Sequence, residues 1–295
     1  MKIAVIGSNS FLAKEIIKSK FFEKENFILY GINNENLSPE FVYFKYPETN
    51  ISFEDLLKTD AIIYCAGAGI QSNLNEDIEL LYELNTFFPI RLLNFLNKKS
   101  YKGKTITFGS YFEIGENDSD LAFNEDMILK SDNKIELDYT KTKKLLSTYI
   151  SINKLNFPHF HLFLSTIYSK TESENRLIPY VIDKIKTNQN LEFTKGLQVR
   201  QYLHTSDLVR CIKLIFENND IESGFYIVAP DESYSVKEIV QFIFKALNKP
   251  LDENCFNKIK GRDDTMKVLK MNNSKIKNLG FKTEIDIETG IKMYL

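Results

Sequence analysis

Short apolar runs alternate with helical patterns along the first part of the chain. The runs are rich in β-branched and aromatic residues, and they lie at Lys2–Ile6, Phe27–Tyr30, Ala61–Cys65, Thr105–Phe108 and His159–Leu164. Helical periodicity separates them at Phe11–Lys20, Ile78–Lys98 and Tyr139–Leu155. Continuous apolar strands are typical of a parallel sheet that is covered on both faces. The alternation therefore predicts an α/β fold with a doubly wound parallel sheet.

Beyond about residue 165 the pattern changes to separated helices. They are predicted at Ile178–Lys186, Thr205–Glu217, Ser235–Leu247 and Asn272–Leu279. No linker rich in Pro or Gly marks a boundary, so we expect two interleaved units. The first is a Rossmann-type dinucleotide-binding domain over residues 1–165, and the second is a smaller carboxy-terminal α+β substrate lobe over residues 166–295.

Composition and charge narrow the classes of function. Among 295 residues, 38 are basic and 40 acidic, and this balance leaves no basic surface for nucleic acid. The apolar start at Lys2–Ile6 has the length of a strand and is too short for a signal peptide or a membrane span, so we expect no membrane association. The distant cysteines Cys65, Cys211 and Cys255 match no zinc spacing. We expect free thiols, no metal site and a cytoplasmic location.

The first strand is followed by a turn of small residues and then by a helix. Such a turn aims backbone N–H groups and the helix N-terminus at a pyrophosphate. Gly7, Ser10 and Ala13 occupy the glycine positions of a Gly-x-x-Gly-x-x-Gly pattern, although an ordinary strand-turn-helix fits the same residues. The third strand also ends in small residues, as backbone that lies against a dinucleotide requires. The predicted cofactor contacts are Gly7, Ser8, Asn9, Ser10, Phe11, Leu12, Ala66 and Gly67.

The second strand ends at Ile32-Asn33-Asn34, without an acidic residue. An Asp or Glu at that point would bind the ribose 2′-OH and repel a 2′-phosphate. Neutral Asn33 is therefore a predicted cofactor contact that favours NADPH. No arginine replaces the acid, so NADH is also possible.

Tyr139 and Lys143 begin a long helical pattern and lie four residues apart, on one helix face. A nearby ammonium favours the phenolate and lowers the pKa of a tyrosine. Tyr139 can then exchange a proton while hydride moves to or from a nicotinamide, although the pair also fits a solvent-exposed helix face. Ser110 follows the fourth strand, where its hydroxyl would bind the reacting oxygen or only form a turn. Asn85, a polar residue in an apolar helix, is either a catalytic assistant or a structural residue.

These residues, together with Arg200 and Arg262, resemble in order and spacing the extended short-chain dehydrogenase/reductase family, over nearly the whole chain. The resemblance implies a Rossmann domain, a substrate lobe and an enzyme that acts on a nucleotide-linked sugar. Segments beginning at Asn85, Asn175 and Arg262 look most like the 4-ketoreductases of the CDP-abequose synthase type. Family members often dimerise through the helices that contain Asn85 and Tyr139, which implies a homodimer.

By the same resemblance the carboxy-terminal lobe binds a nucleotide-diphosphate sugar. Arg200 and Arg262 match arginines that reach the diphosphate, and a guanidinium suits that role because it forks onto phosphate oxygens. A surface salt bridge is the alternative for each arginine. Gln201 stands where the family usually has Asp. The remaining predicted substrate contacts are Ser110, Tyr111, Asn175, Leu177 and Ile178.

The resemblance implies reduction of a 4-keto-6-deoxysugar at C4, a step in the biosynthesis of surface polysaccharide sugars. Epimerisation at C4 and 4,6-dehydration are alternatives on the same fold. Dehydratases of the family typically carry Asp-Glu beside the serine, where this chain has Tyr111-Phe112, so dehydration is disfavoured. A non-enzymatic dinucleotide sensor is an alternative of another class, but such proteins commonly lose the Tyr–Lys pair.

Overall fold

The computed structural model describes residues 1–69, 77–117, 119–259 and 266–295. In these parts of the chain seven strands form one sheet, and four short strands form two separate pairs. In chain order the strands are β1 (Ile3–Ile6), β2 (Phe27–Gly31), β3 (Glu40–Tyr43), β4 (Ala61–Tyr64), β5 (Lys104–Ser110), β6 (His159–Leu164), β7 (Thr166–Tyr168), β8 (Val199–Arg200), β9 (Tyr202–His204), β10 (Gly224–Val228) and β11 (Tyr234–Ser235).

The helices alternate with the strands over most of the chain. They are α1 (Phe11–Ile17), α2 (Phe53–Leu56), α3 (Ile78–Tyr82), α4 (Phe88–Lys98), α5 (Glu125–Lys130), α6 (Asp138–Ile152), α7 (Leu177–Lys186), α8 (Thr205–Glu217), α9 (Val236–Ala246), α10 (Ser274–Lys277) and α11 (Ile287–Lys292). A π-helical turn over Glu83–Phe87 joins α3 to α4. The predicted helix Ile78–Lys98 is thus interrupted in its middle, a feature that often marks functional sites.

The large sheet has the strand order β10-β6-β5-β4-β1-β2-β3, and every neighbouring pair is parallel. The predicted doubly wound fold is therefore confirmed. The chain runs from β1 outward to β3 on one side and then returns to β4 on the other side of β1. This reversal creates a crevice at the carboxyl ends of β1 and β4, where ligands bind in such sheets.

Alternate residues of β1 explain why the sheet is covered on both faces. Ile3 and Val5 belong to the core beneath α1 and α8, whereas Ala4 and Ile6 belong to the core beneath α4 and α6. Successive side chains of a strand point to opposite faces, so a strand buried on both faces is a continuous apolar run. This is the reason that the five predicted strands were found in the sequence.

The carboxy-terminal half packs α7, α9 and α11 around a core that includes Tyr168, Ile182 and Ile239. Strand β10 lies in this half but pairs with β6 at the edge of the large sheet. The sequence pattern missed β10 and the short β3, and it predicted a longer helix where only α10 forms. None of the helices in the described ranges is long and apolar enough to cross a membrane.

Candidate active site

The turn after β1 fits against the segment that follows β4. Gly7 has φ +83°, and a Cβ atom there would lie 2.3 Å from the backbone nitrogen of Ala66, so no larger residue fits. The N–H groups of Gly7 and Ser8 both donate to the carbonyl of Tyr30, at 2.9 and 3.0 Å. Ser10 caps α1, because its Oγ accepts from the N–H of Ala13 at 3.3 Å. The predicted turn and the predicted small residues after β4 are thus brought together.

The side chain of Ser8 provides a test of whether this turn fits a dinucleotide. Its Oγ is buried and has no hydrogen-bond partner among the described residues. A buried hydroxyl without a partner beside a helix N-terminus suits a phosphate oxygen. Phe11 is half-buried at the start of α1, whereas Leu12 packs into the core, so Leu12 can offer only its backbone. The residues present therefore fit a bound pyrophosphate.

Asn9 joins this turn to the end of β2. Its Oδ1 accepts from the N–H groups of Ile32 and Asn33, at 2.6 and 3.2 Å. Its Nδ2 donates to the carbonyl and the Oδ1 of Asn33, at 2.9 and 3.0 Å. The amide of Asn9 is thus engaged within the protein, which leaves its backbone for a cofactor contact. Asn33 itself is exposed at the position expected to face the adenosine ribose.

A carboxylate that the sequence pattern overlooked lies next to Asn33. Glu35 pairs with Lys14 of α1 at 2.7 Å. The hydrogen bond from Lys14 holds the pKa of Glu35 below its usual range, so this carboxylate is ionised. The sequence pattern did not indicate it, because its pairing with Lys14 depends on contact between α1 and the segment after β2. A 2′-phosphate bound near Asn33 would interact with the charges of both Lys14 and Glu35.

Asn85 lies in the π-helical turn and makes three buried hydrogen bonds. Its Oδ1 accepts from the N–H of Ala68 at 3.0 Å, and its Nδ2 donates to the carbonyl of Ala68 and to the Oγ1 of Thr142, each at 3.0 Å. A Cβ atom on Gly67 would come within 2.9 Å of the Oδ1 of Asn85. These contacts favour the structural alternative for Asn85, which fixes the segment after β4 against α6.

Ser110 ends β5 and caps the 3₁₀ turn that follows it. The fully buried Glu113 reaches back, so that its Oε1 accepts from the N–H of Ser110 at 2.7 Å. Its Oε2 accepts from the Oγ of Ser147 on α6 at 2.5 Å. Burial raises the pKa of Glu113 to about 7, although the bonds from Ser147 and Ser110 and the charges of Lys143 and Lys144 oppose this rise.

Tyr139 and Lys143 lie on one face of α6, and the Nζ of Lys143 is 5.9 Å from the centroid of the Tyr139 ring. Lys143 donates to the carbonyl of Phe108 in β5 at 3.1 Å. Burial lowers the pKa of Lys143. Burial, together with the carboxylate of Glu113, raises the pKa of Tyr139. The expected lowering by Lys143 is thus absent, because loss of solvation outweighs an ammonium turned towards β5. The phenol is protonated at neutral pH and can donate its proton.

A cavity of about 600 Å³ opens between the end of β5 and the carboxy-terminal lobe. The predicted residues Tyr111, Asn175, Leu177 and Arg200 line it. Ser110 and Ile178 do not line it. Ser110 is buried where it caps the turn after β5, and the side chain of Ile178 is 2% exposed and packs into the core of the lobe. The expectation of a substrate contact from Ile178 is therefore not supported. Arg262 lies outside the described residues.

Arg200 is held on the wall of this cavity by the backbone around it. Its guanidinium donates to the carbonyls of Val199 and Lys267, at 2.7 and 3.4 Å. The next residue, Gln201, donates to the carbonyl of Pro230 at 2.5 Å and accepts from the N–H of Met271 at 2.7 Å. Gln201, which replaces the usual Asp, is thus buried and anchors the strand that carries Arg200.

Two residues near the cavity were missed by the sequence pattern. Arg176 pairs with the buried Glu172 at 2.8 Å and donates to the carbonyl of Ile167 at 2.8 Å. Its charge acts to lower the pKa of Tyr139, against the larger effect of burial. Thr166 lines the cavity and shares a 2.7 Å hydrogen bond with the hydroxyl of Tyr111. Arg176 stands between the predicted Asn175 and Leu177, and the sequence pattern carries no sign of its pairing with Glu172.

Comparison with known proteins places this chain among enzymes with the same fold. The model of the NAD dependent epimerase/dehydratase family matches residues 4–229. CDP-abequose synthase of Salmonella muenchen is 23% identical over 299 residues, which cover 100% of this chain and 97% of that protein. CDP-abequose synthase of Yersinia pseudotuberculosis is 24% identical over 211 residues, 70% of this chain and 69% of that protein.

Solved structures show the same fold. The structure of dTDP-glucose 4,6-dehydratase from Bacillus anthracis in complex with NAD has a TM-score of 0.79 at 18% identity, and the match covers 100% of this chain and 95% of that one. A variant of UDP-glucuronic acid 4-epimerase from Bacillus cereus has a TM-score of 0.80 at 17% identity, covering 100% and 98%. Because the family match extends over most of the chain and includes β1, β4, β5 and α6, the chain belongs to the NAD-dependent epimerase/dehydratase family.

Proposed function

We propose that this enzyme reduces the C4 carbonyl of a nucleotide-linked 4-keto-6-deoxysugar, a step that supplies sugars for surface polysaccharides. NADPH is the proposed reductant, with NADH as a second usable cofactor. The similarity to CDP-abequose synthase supports this proposal, since it extends over 97% of that relative's length. The cavity beside Tyr111 has a volume suited to a small-molecule ligand and is lined by Arg200, a cation for an anionic group.

The orientation of Glu113 is the observation that separates reduction from dehydration. Elimination of water needs an acid and a base that reach the sugar from beside the serine. Here Tyr111 and Phe112 take those places and stack on each other with ring centroids 4.3 Å apart. The carboxyl of Glu113 turns away from the cavity into the core, where it binds Ser110 and Ser147. In this orientation it does not reach the cavity, so this segment disfavours dehydration and is consistent with a reductase or an epimerase.

The proposed catalytic roles rest on the resemblance to the family and on the protonated state of Tyr139. When bound, the nicotinamide supplies the hydride. Tyr139, protonated at neutral pH, donates its proton to the forming alkoxide, while Ser110 binds the same oxygen. Lys143 lies on the same face of α6 as Tyr139 and, as the resemblance to the family implies, would contact the nicotinamide ribose. Asn85 supports these groups indirectly, because it fixes the segment after β4 against α6.

The two units divide the binding work. Residues 1–165 would bind the dinucleotide at the turn of Gly7, Ser8 and Ser10, with Ala66 and Gly67 opposite. Residues 166–295 would bind the nucleotide-diphosphate sugar, with Arg200 and Arg262 on the diphosphate and Asn175 and Leu177 near the nucleoside. The neutral side chain of Asn33 supports NADPH. Glu35 is a negative charge near Asn33, but its ion pair with Lys14 offsets that charge, so this end of the crevice accommodates NADPH as well as NADH.

We further propose a cytoplasmic homodimer that forms through α3, α4 and α6. Large apolar side chains are exposed on these helices and on the turn between them: Ile78, Phe87 and Leu145 are 46–55% exposed. Apolar side chains on neighbouring helices are typical of a subunit interface. Light scattering on the wild type and on Leu145→Glu tests this, and a wild-type monomer would exclude the dimer.

The function is tested by incubating the protein with NADPH and with CDP-, GDP-, dTDP- and UDP-linked 4-keto-6-deoxysugars. We expect oxidation of NADPH in equal amount to a C4-hydroxyl product identified by NMR. Conversion without consumption of NADPH, by a protein that retains bound NAD, would instead show an epimerase. Tyr139→Phe serves as the control, because it should bind the same ligands without turnover.

A further inference from the structure

A continuous line of buried polar side chains runs along β5 and β6, on the face of the sheet that α6 covers. From Glu113 it passes to Ser147 (2.5 Å), then to Nε2 of His161 (2.9 Å). Nδ1 of His161 binds Oγ1 of Thr107 at 2.7 Å, and the same hydroxyl lies 3.2 Å from Nε2 of His159. Nδ1 of His159 lies 2.6 Å from Oγ1 of Thr105. All six side chains are buried.

Gly109 makes room for this line in β5. A Cβ atom at that position would lie 2.6 Å from Nε2 of His161 and 2.8 Å from Oε1 of Glu113. Loss of solvation lowers the pKa of His159 to about 3 and holds that of His161 well below its usual range, so both imidazoles are neutral. Each neutral imidazole then has one donor and one acceptor nitrogen, and each hydroxyl can do both.

When Glu113 is ionised, only one direction of the hydrogen bonds gives every group in the line a partner. Ser147 donates to the carboxylate, and Nε2–H of His161 donates to Ser147. Thr107 donates to Nδ1 of His161, and Nε2–H of His159 donates to Thr107. Thr105 completes the line by donating to Nδ1 of His159. Both histidines therefore carry their proton on Nε2 in this state.

With Glu113 protonated, the whole line reverses and is again complete. The carboxyl donates to Ser147, and each following group donates away from Glu113, so that both histidines carry their proton on Nδ1. At the far end Thr105 is free to donate to the carbonyl of Pro158, which lies 3.4 Å from its Oγ1. The line thus has two fully hydrogen-bonded states that differ by one proton. A path that carries protons requires two such states.

The two ends of the line lie at opposite ends of β5, with Thr105 at its amino end and Glu113 just beyond its carboxyl end. Glu113 holds the backbone of Ser110, and its charge acts on the pKa of both Tyr139 and Lys143. Pro158, at the other end, lines a separate open cavity of about 850 Å³ at the amino edge of the sheet. That cavity shares none of its lining residues with the 600 Å³ cavity beside Tyr111.

We propose that Glu113, Ser147, His161, Thr107, His159 and Thr105 form a proton path along the face of the sheet that α6 covers, and that Glu113 takes up a proton along it when Tyr139 donates its own. The second part rests on the proposed reductase function. In each hop one bond to hydrogen breaks and one forms. Thr105 receives a proton from water at the Pro158 end, and Glu113 finishes protonated. Uptake is favoured because a phenolate on Tyr139 adds a second negative charge beside Glu113.

Other charged and titratable groups face Glu113 and influence how the histidine tautomers depend on pH. Lys143 and Lys144 of α6 act to keep it ionised, and Tyr139 lies on the same helix. His161 faces it from β6 through Ser147. Ser110 of β5 contributes an N–H that favours the ionised form. Burial raises the pKa of Glu113 to about 7, lowers the pKa of Lys143 and of Lys144, and raises that of Tyr139. The tautomers of the two histidines report on Glu113, because only its carboxyl binds the line directly.

The direct test is the tautomeric state of the histidines, read by ¹⁵N NMR of the whole protein labelled at histidine. The chain has only three histidines. The third, His204, accepts from the N–H of Ser206 at 3.2 Å and serves as a reference of fixed tautomer. As the pH rises through 7, His161 and His159 should move together from Nδ1–H to Nε2–H. A fixed tautomer of His159 over this range would overturn the proposal.

Three variants localise the effect. Glu113→Gln must donate its amide to Ser147, so both histidines should remain Nδ1–H at every pH. Thr107→Val removes the hydroxyl between the imidazoles, so His161 should still respond and His159 should not. Thr59→Val is the matched control, since Thr59 is a buried threonine bound to Leu56 and Tyr101 outside the line. A His159 that still responds in Thr107→Val would disprove the path even if Glu113→Gln failed to fold.

The link to catalysis is tested in a single turnover with NADPH, in the presence of a pH-indicator dye. Proton uptake should keep pace with NADPH oxidation in the wild type and in Thr59→Val, and should lag behind it in Thr107→Val. Uptake that keeps pace in Thr107→Val overturns the proposed uptake route. If no protein oxidises NADPH with any keto sugar, the reductase function falls, while the tautomers still decide whether the path exists.

Discussion

The side chain of Asn85 binds both backbone polar groups of Ala68, each at 3.0 Å, in the manner of a paired strand. Ala68 follows β4 at the crevice where the cofactor would lie, and irregular backbone at such a place needs partners for its N–H and carbonyl groups. The π-helical turn widens the helix at Asn85. The amide of Asn85 therefore supplies Ala68 with the two hydrogen bonds that a neighbouring strand would otherwise provide.

Asn85→Ala should lower the free energy of unfolding by about 2–3 kcal/mol, because it leaves the buried polar groups of Ala68 without partners. Urea unfolding measures this change. Asn94→Ala is the control: Asn94 lies on α4, and its hydrogen bond to Tyr149 is exposed, so a change within about 0.5 kcal/mol is expected. Equal losses in both variants would show that Asn85 has no special role.

Glu113 should make the stability of the protein depend on pH. Its pKa is raised to about 7, from an ordinary value near 4.5, so the folded state binds a proton that the unfolded state has lost. This contribution is complete below about pH 4.5 and disappears as the pH rises through 7. It corresponds to up to about 3 kcal/mol. Urea unfolding of the wild type between about pH 5 and pH 8 should show this fall.

Glu113→Gln isolates the contribution, because an amide does not titrate in this range. As the pH rises, the wild type should lose stability relative to the variant. A difference that stays constant with pH would mean that Glu113 does not titrate near 7 in the folded protein.

The positions of Ser110, Tyr139 and Lys143 could be predicted from the sequence, whereas the pKa values of their side chains could not. A serine at the end of a strand and a tyrosine and a lysine four apart on a helix have positions that the sequence pattern determines. The pKa of Tyr139 depends on its burial and on Glu113, which lies 26 residues away in the chain. Sequence spacing carries no information on such contacts, so the lowered pKa that the Tyr–Lys spacing suggested was wrong.

Elements that depend on distant pairing were also hidden. The strand β10 is an apolar run among helical patterns, and only its register with β6, more than sixty residues earlier, makes it part of the sheet. Likewise, Leu177 faces the cavity and Ile178 the core, a distinction set by how α7 packs on α9. The face of a helix that meets a small lobe cannot be assigned before the lobe's core is known.

Tyr139→Phe should reduce turnover roughly 10²–10⁴-fold while cofactor affinity remains nearly unchanged, because only a proton-donating hydroxyl is lost. Stopped-flow measurement of NADPH oxidation and fluorescence titration with NADPH separate the two effects. Tyr149→Phe, on the exposed side of the same helix, should retain full activity. Turnover above about a tenth of wild type in Tyr139→Phe would assign proton donation to another group.

Arg200→Ala should weaken binding of the nucleoside diphosphate about tenfold to a hundredfold, since a charge-assisted bond contributes about 1.5–3 kcal/mol. The affinity for NADPH should not change. Calorimetry with each ligand decides this. Arg91→Ala is the control, because Arg91 pairs with Glu83 outside the cavity lining. Unchanged affinity in Arg200→Ala would place the diphosphate contact elsewhere.

The ion pair of Lys14 with Glu35, at 2.7 Å, should set the choice between the two cofactors. Glu35→Gln removes a negative charge beside Asn33 and frees Lys14 for a 2′-phosphate, so the ratio of kcat/KM for NADPH to that for NADH should rise. Lys14→Gln leaves Glu35 uncompensated, and the same ratio should fall. Both groups are partly exposed, so each change is expected to be about 1 kcal/mol or less, which is roughly fivefold or less in the ratio.

The two changes must have opposite signs if the 2′-phosphate lies beside this pair. Initial rates with NADPH and NADH on the same keto sugar measure the ratio, and Lys58→Gln controls for the loss of an exposed lysine, since its pair with Asp55 is distant from the turn. If both variants shift the ratio in the same direction, or neither shifts it, the adenosine ribose does not approach Asn33. Cofactor preference would then have to arise at the Ser8 turn, whose buried hydroxyl is the other group at this end of the crevice suited to a phosphate.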